Sequence, residues 1–488
     1  MSSSSQGNAV RIERIARFLR TPDGPHCAIL REKFRYMHST QERKPGRAPR
    51  FVQHEVKLFA EDNGLLYFPC GLQERCMSLL TQAGFAPALH DLRKPCSALQ
   101  VPSTRNLAGL RPGQQEVIDA IVQADNGIVE ALTGFGKGVV IDRLVSLYPK
   151  ARHLIVTKSK SVANMLHQRL KANHPQAGVW NSDKHVQGNP MVCTSGSLGG
   201  LELDKFDFVQ LDEVHELLTP SFLDYYPLFG GCKLISYSAS PDQRLDNTKL
   251  AMEAYFGTKV CKVDYQEGVD LGLVVPIEVW RVDWGCTPAD AMRGIKSDVR
   301  RMRLAYWNNV ARNTAIARVV QEEVPARLSD PDPQILILVD KVEHALRLAQ
   351  LLPDFKAVYG EVDAENAKYF QDQGLLPDGK PVSRKEVERI RQDFSSGKVR
   401  RAIATGIWST GVDFPQLQVL VRADGGNSPI KDTQMPGRVC RIADGKSKGI
   451  QVDFADRFDA WTASRSRSRF KRYEEKKWTT VEIDLRQA

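Results

Sequence analysis

A glycine-rich segment defines the architecture of this chain: Ala131-Leu132-Thr133-Gly134-Phe135-Gly136-Lys137-Gly138. It follows an apolar, strand-like run and precedes an amphipathic helical pattern. Glycines let a backbone pass close to phosphate oxygens, and the N-terminus of the next helix offers free N–H groups and a positive dipole. Lys137 would then reach the β- and γ-phosphates of a nucleotide. The segment therefore predicts a phosphate-binding loop, with a simple tight turn as the alternative.

Around this segment, short apolar runs alternate with helical patterns, as is typical of buried parallel strands in α/β layers. The first series of runs lies at 127–132, 154–158, 191–195, 206–213 and 232–240. After a helical segment at 302–324, a second series lies at 334–340, 355–360, 400–406, 417–424 and 448–456. The pattern predicts two α/β lobes in tandem, with a long loop over 361–382.

Composition limits the class of protein. The chain has 488 residues, of which 42% are hydrophobic and 26% charged, as expected for several globular domains. No apolar run approaches the ~20 residues that span a bilayer, and the N-terminus lacks the apolar core of a signal peptide. The nine cysteines show neither a Cys-x-x-Cys pair nor metal-ligand spacing. We therefore expect a reducing, cytoplasmic compartment.

The basic excess lies at the two ends of the chain. Residues 1–105 hold 16 Lys/Arg against 9 Asp/Glu, and residues 462–488 hold 8 against 4. This distribution favours a polyanionic partner, although basic ends also serve solubility. We predict an accessory, DNA-binding domain at 1–105, a first lobe at 106–285, and a second lobe at 286–488 that ends in a basic segment.

An acidic pair follows the fourth apolar run, in Val209-Gln210-Leu211-Asp212-Glu213-Val214-His215. Ligands of parallel sheets lie outside the carboxyl ends of the strands, so Asp212 and Glu213 would face the phosphates. Asp212 suits Mg²⁺, and Glu213 suits activation of an attacking water. An acidic helix cap is the alternative for an isolated pair. His215 suits a coupling hydrogen bond better than a metal, because no other metal-ligating residue lies at ligand spacing.

A third segment lies far along the chain, Gln434-Met435-Pro436-Gly437-Arg438-Val439-Cys440-Arg441. Two arginines three residues apart share one face of a helix and could supply positive charge to a γ-phosphate. Alone, such a pair is usually a solvated face. The occurrence of all three segments in this order favours the catalytic interpretation.

The ordered segments resemble the motifs of superfamily 2 helicases of the DEAD/DEAH-like kind, from about residue 106 to residue 473. The resemblance implies two RecA-like lobes that bind ATP and Mg²⁺ between them. Lys137, Asp212 and Glu213 would come from the first lobe, and Gln434, Arg438 and Arg441 from the second. Leu110-Arg111-Pro112-Gly113-Gln114-Gln115 resembles the adenine-reading segment. The implied nucleotide-binding residues are Arg111, Gln114, Thr133, Gly134, Phe135, Gly136, Lys137, Gly138, Gly411 and Asp413.

Other segments resemble the family's coupling and nucleic-acid motifs. Ser238-Ala239-Ser240-Pro241 resembles the Ser-Ala-Thr motif, which implies coupling roles for His215, Ser238 and Ser240. Thr157-Lys158 and Thr194-Ser195 resemble first-lobe segments that contact the nucleic-acid backbone, and Thr405 with the segment 409–415 resembles the fifth motif. The implied nucleic-acid contacts are Lys158, Thr194, Ser195 and Thr405, to which the basic C-terminal run adds Arg465, Arg467 and Arg469. That run could equally be a disordered tail.

Within the superfamily, the chain resembles phage-type branched-DNA helicases of the UvsW kind and the XPB-like group. The matching residues lie at 267–276, 309–313 and 464–473. This resemblance implies an ATP-dependent motor that moves 3′ to 5′ and unwinds or branch-migrates forked or junction DNA in replication, recombination or repair. It also implies a host cytoplasm if the chain is phage-encoded.

One departure leaves alternatives open. Position 138 is Gly, where the family has a Ser or Thr whose hydroxyl ligates Mg²⁺. A water could fill that place, because Mg²⁺ keeps several waters. Gly138 therefore motivates one alternative, a catalytically silent DNA-binding protein that recognises DNA structure. Two others are retained on separate grounds. An RNA helicase is one, because the Asp-Glu-x-His box does not distinguish DNA from RNA, and a motor subunit of a restriction or remodelling complex, which would need a partner or nuclease domain, is the other.

Overall fold

The structure is a computed structural model that describes residues 8–42, 50–100, 109–239, 248–285, 294–376, 381–408, 414–428, 432 and 435–486. The chain divides into two compact units, Met1–Asp264 and Tyr265–Ala488. The first unit contains a five-stranded sheet, a two-stranded hairpin and an eight-stranded sheet, and the second contains a seven-stranded sheet. Across these ranges, no helix combines the length and the apolar character that crossing a membrane requires.

The N-terminal part of the first unit has its own small sheet, in the order β5-β6-β2-β1-β7. β1 pairs in parallel with β7, and the other pairs are antiparallel. β3 and β4 form a separate antiparallel hairpin. The elements are β1 (Ala9–Ile15), β2 (Phe18–Pro22), α1 (Pro25–Lys33), β3 (Arg35–Glu42), β4 (Arg50–Lys57), β5 (Ala60–Asp62), β6 (Leu65–Pro69), α2 (Gln73–Gln82) and β7 (Ala86–Asp91).

This N-terminal part packs directly on the helix Lys249–Phe256, which belongs to the larger α/β part of the same unit. A Cβ atom at Gly71 would lie 2.1 Å from the carbonyl oxygen of Glu253, so only glycine permits this approach of the two backbones. Arg75 forms an ion pair of 2.5 Å with the Glu253 carboxylate. Leu72 and Phe256 belong to one hydrophobic cluster that spans both parts. The N-terminal part is therefore built into the first unit, while keeping its own sheet.

The larger sheet of the first unit has the order β11-β10-β12-β9-β13-β14-β8-β15. Its strands are parallel except for the edge strand β11. The elements are α3 (Gln114–Gln123), β8 (Asn126–Ala131), α4 (Lys137–Leu147), β9 (His153–Thr157), α5 (Lys160–Asn173), β10 (Gly178–Asn181), β11 (Lys184–Val186), β12 (Met191–Thr194), β13 (Phe208–Leu211), α6 (Val214–Leu217), α7 (Pro220–Leu223), β14 (Lys233–Ser238), α8 (Lys249–Phe256) and β15 (Lys259–Val263).

The five runs predicted as first-lobe strands correspond to β8, β9, β12, β13 and β14. All residues of β9, β12, β13 and β14 are buried, as expected for strands that have helices on both faces. Parallel pairing brings the carboxyl ends of these strands to one edge of the sheet. The loops after β8 and β13 therefore lie at the same edge, separated by β14.

The second unit is built on a parallel sheet in the order β18-β19-β17-β20-β21-β16-β22. Two segments of π-helix, Arg303–Trp307 and Val319–Glu323, join short α-helices within the predicted helical region. The elements are α9 (Tyr265–Asp270), β16 (Ile277–Asp283), α10 (Asp298–Met302), α11 (Val310–Arg318), α12 (Val324–Arg327), β17 (Gln334–Leu338), α13 (Val342–Leu351), β18 (Lys356–Val358), α14 (Ala364–Asp372), α15 (Arg384–Ser395), β19 (Arg401–Ala404), β20 (Leu417–Arg422), β21 (Gly449–Phe454), α16 (Ala460–Glu475) and β22 (Thr479–Asp484).

Two features of the second unit differ from the sequence-based expectations. β16 pairs with β21 and β22, so residues 277–283 belong to the second sheet although the first lobe was expected to reach residue 285. The three-domain division itself stays a prediction. The prediction of a continuous loop over 361–382 was wrong, because α14 begins within it. The Asp363 carboxylate caps this helix by accepting a hydrogen bond of 2.8 Å from the Asn366 amide.

The basic C-terminal segment is the docked helix α16. Asp459 and Thr462 form a capping box at its N-terminus. Arg469 is fully buried and donates two hydrogen bonds of 2.8 Å to the Asp453 carboxylate on β21, and the Tyr473 hydroxyl donates another of 2.8 Å. This buried ion pair attaches the helix to the sheet, so the alternative of a disordered tail is excluded for residues 460–475.

We predict that Asp453→Ala destabilises the protein strongly. The substitution removes both hydrogen bonds between the buried Arg469 guanidinium and Asp453, and leaves only the Asp456 carboxylate at 3.7 Å as a counter-charge among the described residues. The expected cost is about 3 kcal/mol in free energy of unfolding. Urea unfolding followed by circular dichroism measures the change. Arg467 is exposed on the same helix, so Arg467→Ala is the control and should change stability by less than ~0.5 kcal/mol. Equal effects of the two substitutions would contradict the assignment.

Candidate nucleotide site and nucleic-acid edge

The phosphate-loop segment joins β8 to α4 at the carboxyl edge of the first sheet. Gly134 and Gly136 have φ angles of 94° and 93°, which are in the left-handed region where glycine carries no steric penalty. Gly136 caps α4, and Lys137 is the first residue of that helix. The loop therefore directs the backbone N–H groups at the start of a helix of eleven residues toward the sheet edge.

The Gln114 side chain holds this loop in place. It is fully buried, its Nε2 donates a hydrogen bond of 2.8 Å to the Phe135 carbonyl oxygen, and its Oε1 accepts one of 2.9 Å from the Arg111 amide. A Cβ atom at position 136 would lie 2.6 Å from Gln114 Nε2, so glycine is needed for this contact. Gln114 therefore connects the predicted adenine-reading segment to the loop, and its contact with a base stays a prediction.

The predicted catalytic residues of the first lobe lie together. Lys137 Nζ forms a short ion pair with Glu213 Oε1, and the two side chains are 14% and 32% exposed. Glu213 has a φ of 49°, an uncommon backbone conformation for a non-glycine residue. It is the N-cap residue of the short helix α6, two residues after the end of β13. The left-handed turn thus directs the carboxylate after a buried strand toward the phosphate loop.

Opposing effects set the pKa values of the acidic pair. Burial raises the pKa of Asp212 to about 6, despite the attraction of Lys137. Burial opposes ionisation of Glu213 as well, but the charges of Lys137 and His215 outweigh it and lower that pKa. The Oδ1 atom of Asp212 is buried and has no hydrogen-bond partner among the described residues. A buried carboxylate oxygen with a free lone pair fits a divalent cation such as Mg²⁺.

A hydrogen bond connects the acidic pair to the strand between the two loops. His215 Nδ1 lies 2.9 Å from Ser238 Oγ, and both residues are buried. His215 Nδ1 also lies 3.4 Å from Glu213 Oε2. Ser238 ends β14, which separates β8 from β13. The geometry agrees with a connecting role for His215 and Ser238.

The predicted nucleic-acid residues of the first lobe lie at the same sheet edge. Thr157 and Thr194 are register partners on the adjacent strands β9 and β12, so Lys158 and Ser195 follow at neighbouring positions. Lys158 is exposed, and Thr194 Oγ1 donates a hydrogen bond of 3.1 Å to Ser197 Oγ. The residues at 158 and 194–195 therefore lie close together, and their contact with a nucleic-acid backbone stays a prediction.

Outside helix α16, three predicted site residues of the second unit lie within the described ranges. Thr405 directly follows β19 and is buried. Burial lowers the pKa of the Arg438 guanidinium to about 10. Arg441 lies three residues further along and is half-buried. The roles of Thr405, Arg438 and Arg441 stay predictions, and Ser240, Gly411, Asp413 and Gln434 lie outside the described residues.

The three arginines expected to bind nucleic acid from α16 have different environments. Arg467 is exposed. Arg465 is half-buried, with its guanidinium 4.6 Å from the centre of the Trp461 ring and a hydrogen bond of 3.1 Å to the Gly425 carbonyl oxygen. The expectation for Arg469 is corrected. Its guanidinium is buried inside the unit and forms an ion pair with Asp453, so it is not available to bind nucleic acid. Alternation of Arg and Ser could not reveal that buried partner.

Sequence reasoning also missed a residue beside the phosphate loop. Gly138, the departure from the family motif, lies next to the side chain of Arg169 on α5. No motif singles out Arg169, because its position depends on how α4 and α5 pack together.

Comparisons with known proteins agree with the two parallel sheets. The model of the helicase conserved C-terminal domain matches residues 316–443. The DNA 3′-5′ translocase XPB2 of Sulfurisphaera tokodaii is 21% identical over 374 residues, which are 73% of this chain and 84% of that protein. A solved fragment assigned as the HsdR subunit of a type I restriction enzyme from Vibrio vulnificus is 18% identical, with 92% and 93% of the two chains covered and a TM-score of 0.55.

The crystal structure of T4 UvsW covers 98% of this chain and 100% of its own, at 16% identity and a TM-score of 0.42. A TM-score below 0.5 does not establish a shared arrangement of the whole chain. The sheets and the similarity to the HsdR fragment confirm a fold of tandem RecA-like lobes. Residues 316–443 match a helicase domain, in agreement with the resemblance of the ordered motifs to superfamily 2 helicases.

We predict that Lys137→Ala destabilises the nucleotide-free protein, because it leaves two carboxylates without their shared cation. The expected loss in free energy of unfolding is about 1–3 kcal/mol at pH 7.5. The lowered pKa of Glu213 means that this stabilisation is present above the usual Glu pKa near 4.5 and is lost as pH falls through the lower, folded-state pKa. Urea unfolding from pH 7.5 down to about pH 3 measures this dependence.

The control is Lys160→Ala, which removes an ion pair with Asp183 whose side chains are 52% and 64% exposed. It should change the free energy of unfolding by less than ~1 kcal/mol. A Lys137→Ala variant as stable as the wild type at pH 7.5 would show that the ion pair contributes nothing.

Proposed function

We propose that this protein is an ATP-dependent DNA helicase or translocase that acts on forked or junction DNA in replication, recombination or repair. The observation that carries the proposal is the group formed by Lys137, Glu213 and Asp212 at the phosphate loop, where the Oδ1 atom of Asp212 is buried. The similar XPB2 protein is named as a DNA 3′-5′ translocase, which favours DNA and that direction of movement.

The geometry suggests how ATP would be hydrolysed. The phosphates would accept hydrogen bonds from the N–H groups of residues 134–138 and would form an ion pair with Lys137. Glu213 would then be released from its own ion pair with Lys137. Glu213 would then accept a proton from water while the water oxygen bonds to the γ-phosphorus and the bond to the β–γ bridging oxygen breaks. Asp212 would hold Mg²⁺, which neutralises charge on the phosphates. The products are ADP and inorganic phosphate.

The same sheet edge supports coupling of ATP to nucleic acid. The phosphate loop, the acidic pair, and the residues at 158 and 194–195 all follow parallel strands of one sheet. A movement of the turn at Glu213 would be transmitted to Ser238 through the hydrogen bond between His215 and Ser238. Contacts to a nucleic-acid backbone are largely independent of sequence, so binding should weaken steeply with salt.

We predict that Glu213→Gln abolishes ATP hydrolysis, because glutamine cannot accept the proton of the attacking water. Steady-state hydrolysis with Mg²⁺ should rise with forked DNA in the wild type and fall at least about 100-fold in the variant. Glu202→Gln, which changes an exposed carboxylate of the same unit, is the matched control and should retain activity.

Single-stranded RNA in place of forked DNA tests the RNA-helicase alternative, which predicts the larger stimulation with RNA. The silent-protein alternative is motivated by Gly138. It predicts DNA binding that is indifferent to ATP and no hydrolysis in either protein, and that result would overturn the proposal.

A further inference from the structure

Helices α4 and α5 pack in a definite register next to the phosphate loop. Asn173 Nδ2 donates a hydrogen bond of 2.8 Å to Asp142 Oδ2, and His174 Nε2 lies 3.3 Å from Asp142 Oδ1. Asp142 is four residues after Gly138, and Asn173 is four residues after Arg169, so each pair shares one helix face. The contact at Asp142 therefore places Arg169 opposite Gly138.

The Arg169 guanidinium occupies the space that a side chain at position 138 would need. An ideal Cβ atom on Gly138 would lie 2.5 Å from Arg169 Nη1, and 3.5 Å from both Cδ and Cζ. Position 138 is where the family motif has the hydroxyl that ligates Mg²⁺. The position of the Arg169 guanidinium therefore depends on glycine at position 138, because a Cβ atom there would clash with it.

Arg169 is exposed, and no anionic side chain contacts its guanidinium among the described residues. Within the part of the chain that the structure describes, no hydrogen bond or ion pair engages this side chain. Its guanidinium lies beside the first turn of α4, where the positive end of the helix dipole disfavours a cation and attracts an anion. Lys137, at the same helix end, adds a second positive charge. A phosphate group at the loop would interact favourably with Arg169, with Lys137 and with the N-terminus of α4.

We propose that Arg169 is a phosphate-binding residue of the nucleotide site, admitted by glycine at position 138. This inference rests on the proposed function and deepens it. A guanidinium offers five N–H donors in a planar arrangement that suits phosphate oxygens. Arg169 thus supplies charge next to the position of the absent hydroxyl, while Asp212 stays the protein ligand available to Mg²⁺.

The test measures equilibrium binding of ADP in EDTA by the full chain, so that neither Mg²⁺ nor catalysis contributes. Arg169→Ala should weaken ADP binding about tenfold, the usual effect of losing one charge-assisted contact. Lys171→Ala is the matched control, because it removes an exposed cation from the same helix. Adenosine, which lacks phosphates, should bind all variants equally.

A second pair of variants links Arg169 to position 138. Gly138→Ser should displace only the flexible end of Arg169, so the fold is kept and ADP binding weakens. The same substitution added to Arg169→Ala should cause no further loss, because the guanidinium is already absent. Additive losses, or ADP binding by Arg169→Ala equal to that by Lys171→Ala, would overturn the inference.

Lys137→Ala separates failure of this inference from failure of the proposed function. Loss of ADP binding in Lys137→Ala, together with unchanged binding in Arg169→Ala, rejects the role of Arg169 alone. Unchanged ADP binding in Lys137→Ala shows that the nucleotide does not use this loop, and rejects both.

Discussion

Parallel pairing of β8, β14, β13 and β9 is the constraint on which the first unit depends. Adjacent parallel strands end at one edge of the sheet, so the loops that follow them lie side by side. The phosphate loop follows β8, Ser238 ends β14, the acidic pair follows β13 and Lys158 follows β9. Residues more than a hundred positions apart in the chain therefore form one continuous edge, with nucleotide chemistry at one end and candidate nucleic-acid contacts at the other.

The charges at this edge are only partly compensated within the protein. Lys137 compensates Glu213, and Asp212 holds an unsatisfied oxygen at a raised pKa. Arg169 and the N-terminus of α4 leave positive potential beside them. We propose that this arrangement suits an anion together with a divalent cation, because each would compensate a different charge. The second unit uses buried charge differently, since the Arg469–Asp453 pair is fully satisfied and attaches a helix to its sheet.

The sequence predicted the elements whose physics is local. Central strands such as β9 and β13 are apolar on both faces, and the turn at Gly134 and Gly136 requires glycine, so these features can be read from short segments. The helix α14 was missed because it is short, most of its residues are polar or small, and it lies within a stretch rich in Gly, Asp and Pro. The burial of Arg469 depends on Asp453, a distant residue on another element. The contact of Arg169 with Gly138 likewise depends on the packing of two helices, which no spacing along the chain encodes.

The proposed role of this sheet edge requires the nucleotide phosphates to bind at the phosphate loop. A crystal structure of the full chain with a non-hydrolysable ATP analogue and Mg²⁺ tests this. We expect the β- and γ-phosphates at the amides of residues 134–138, with Lys137 moved from Glu213 to the phosphates and the metal beside Asp212. Phosphates bound away from this loop, with the Lys137–Glu213 ion pair intact, would contradict the account.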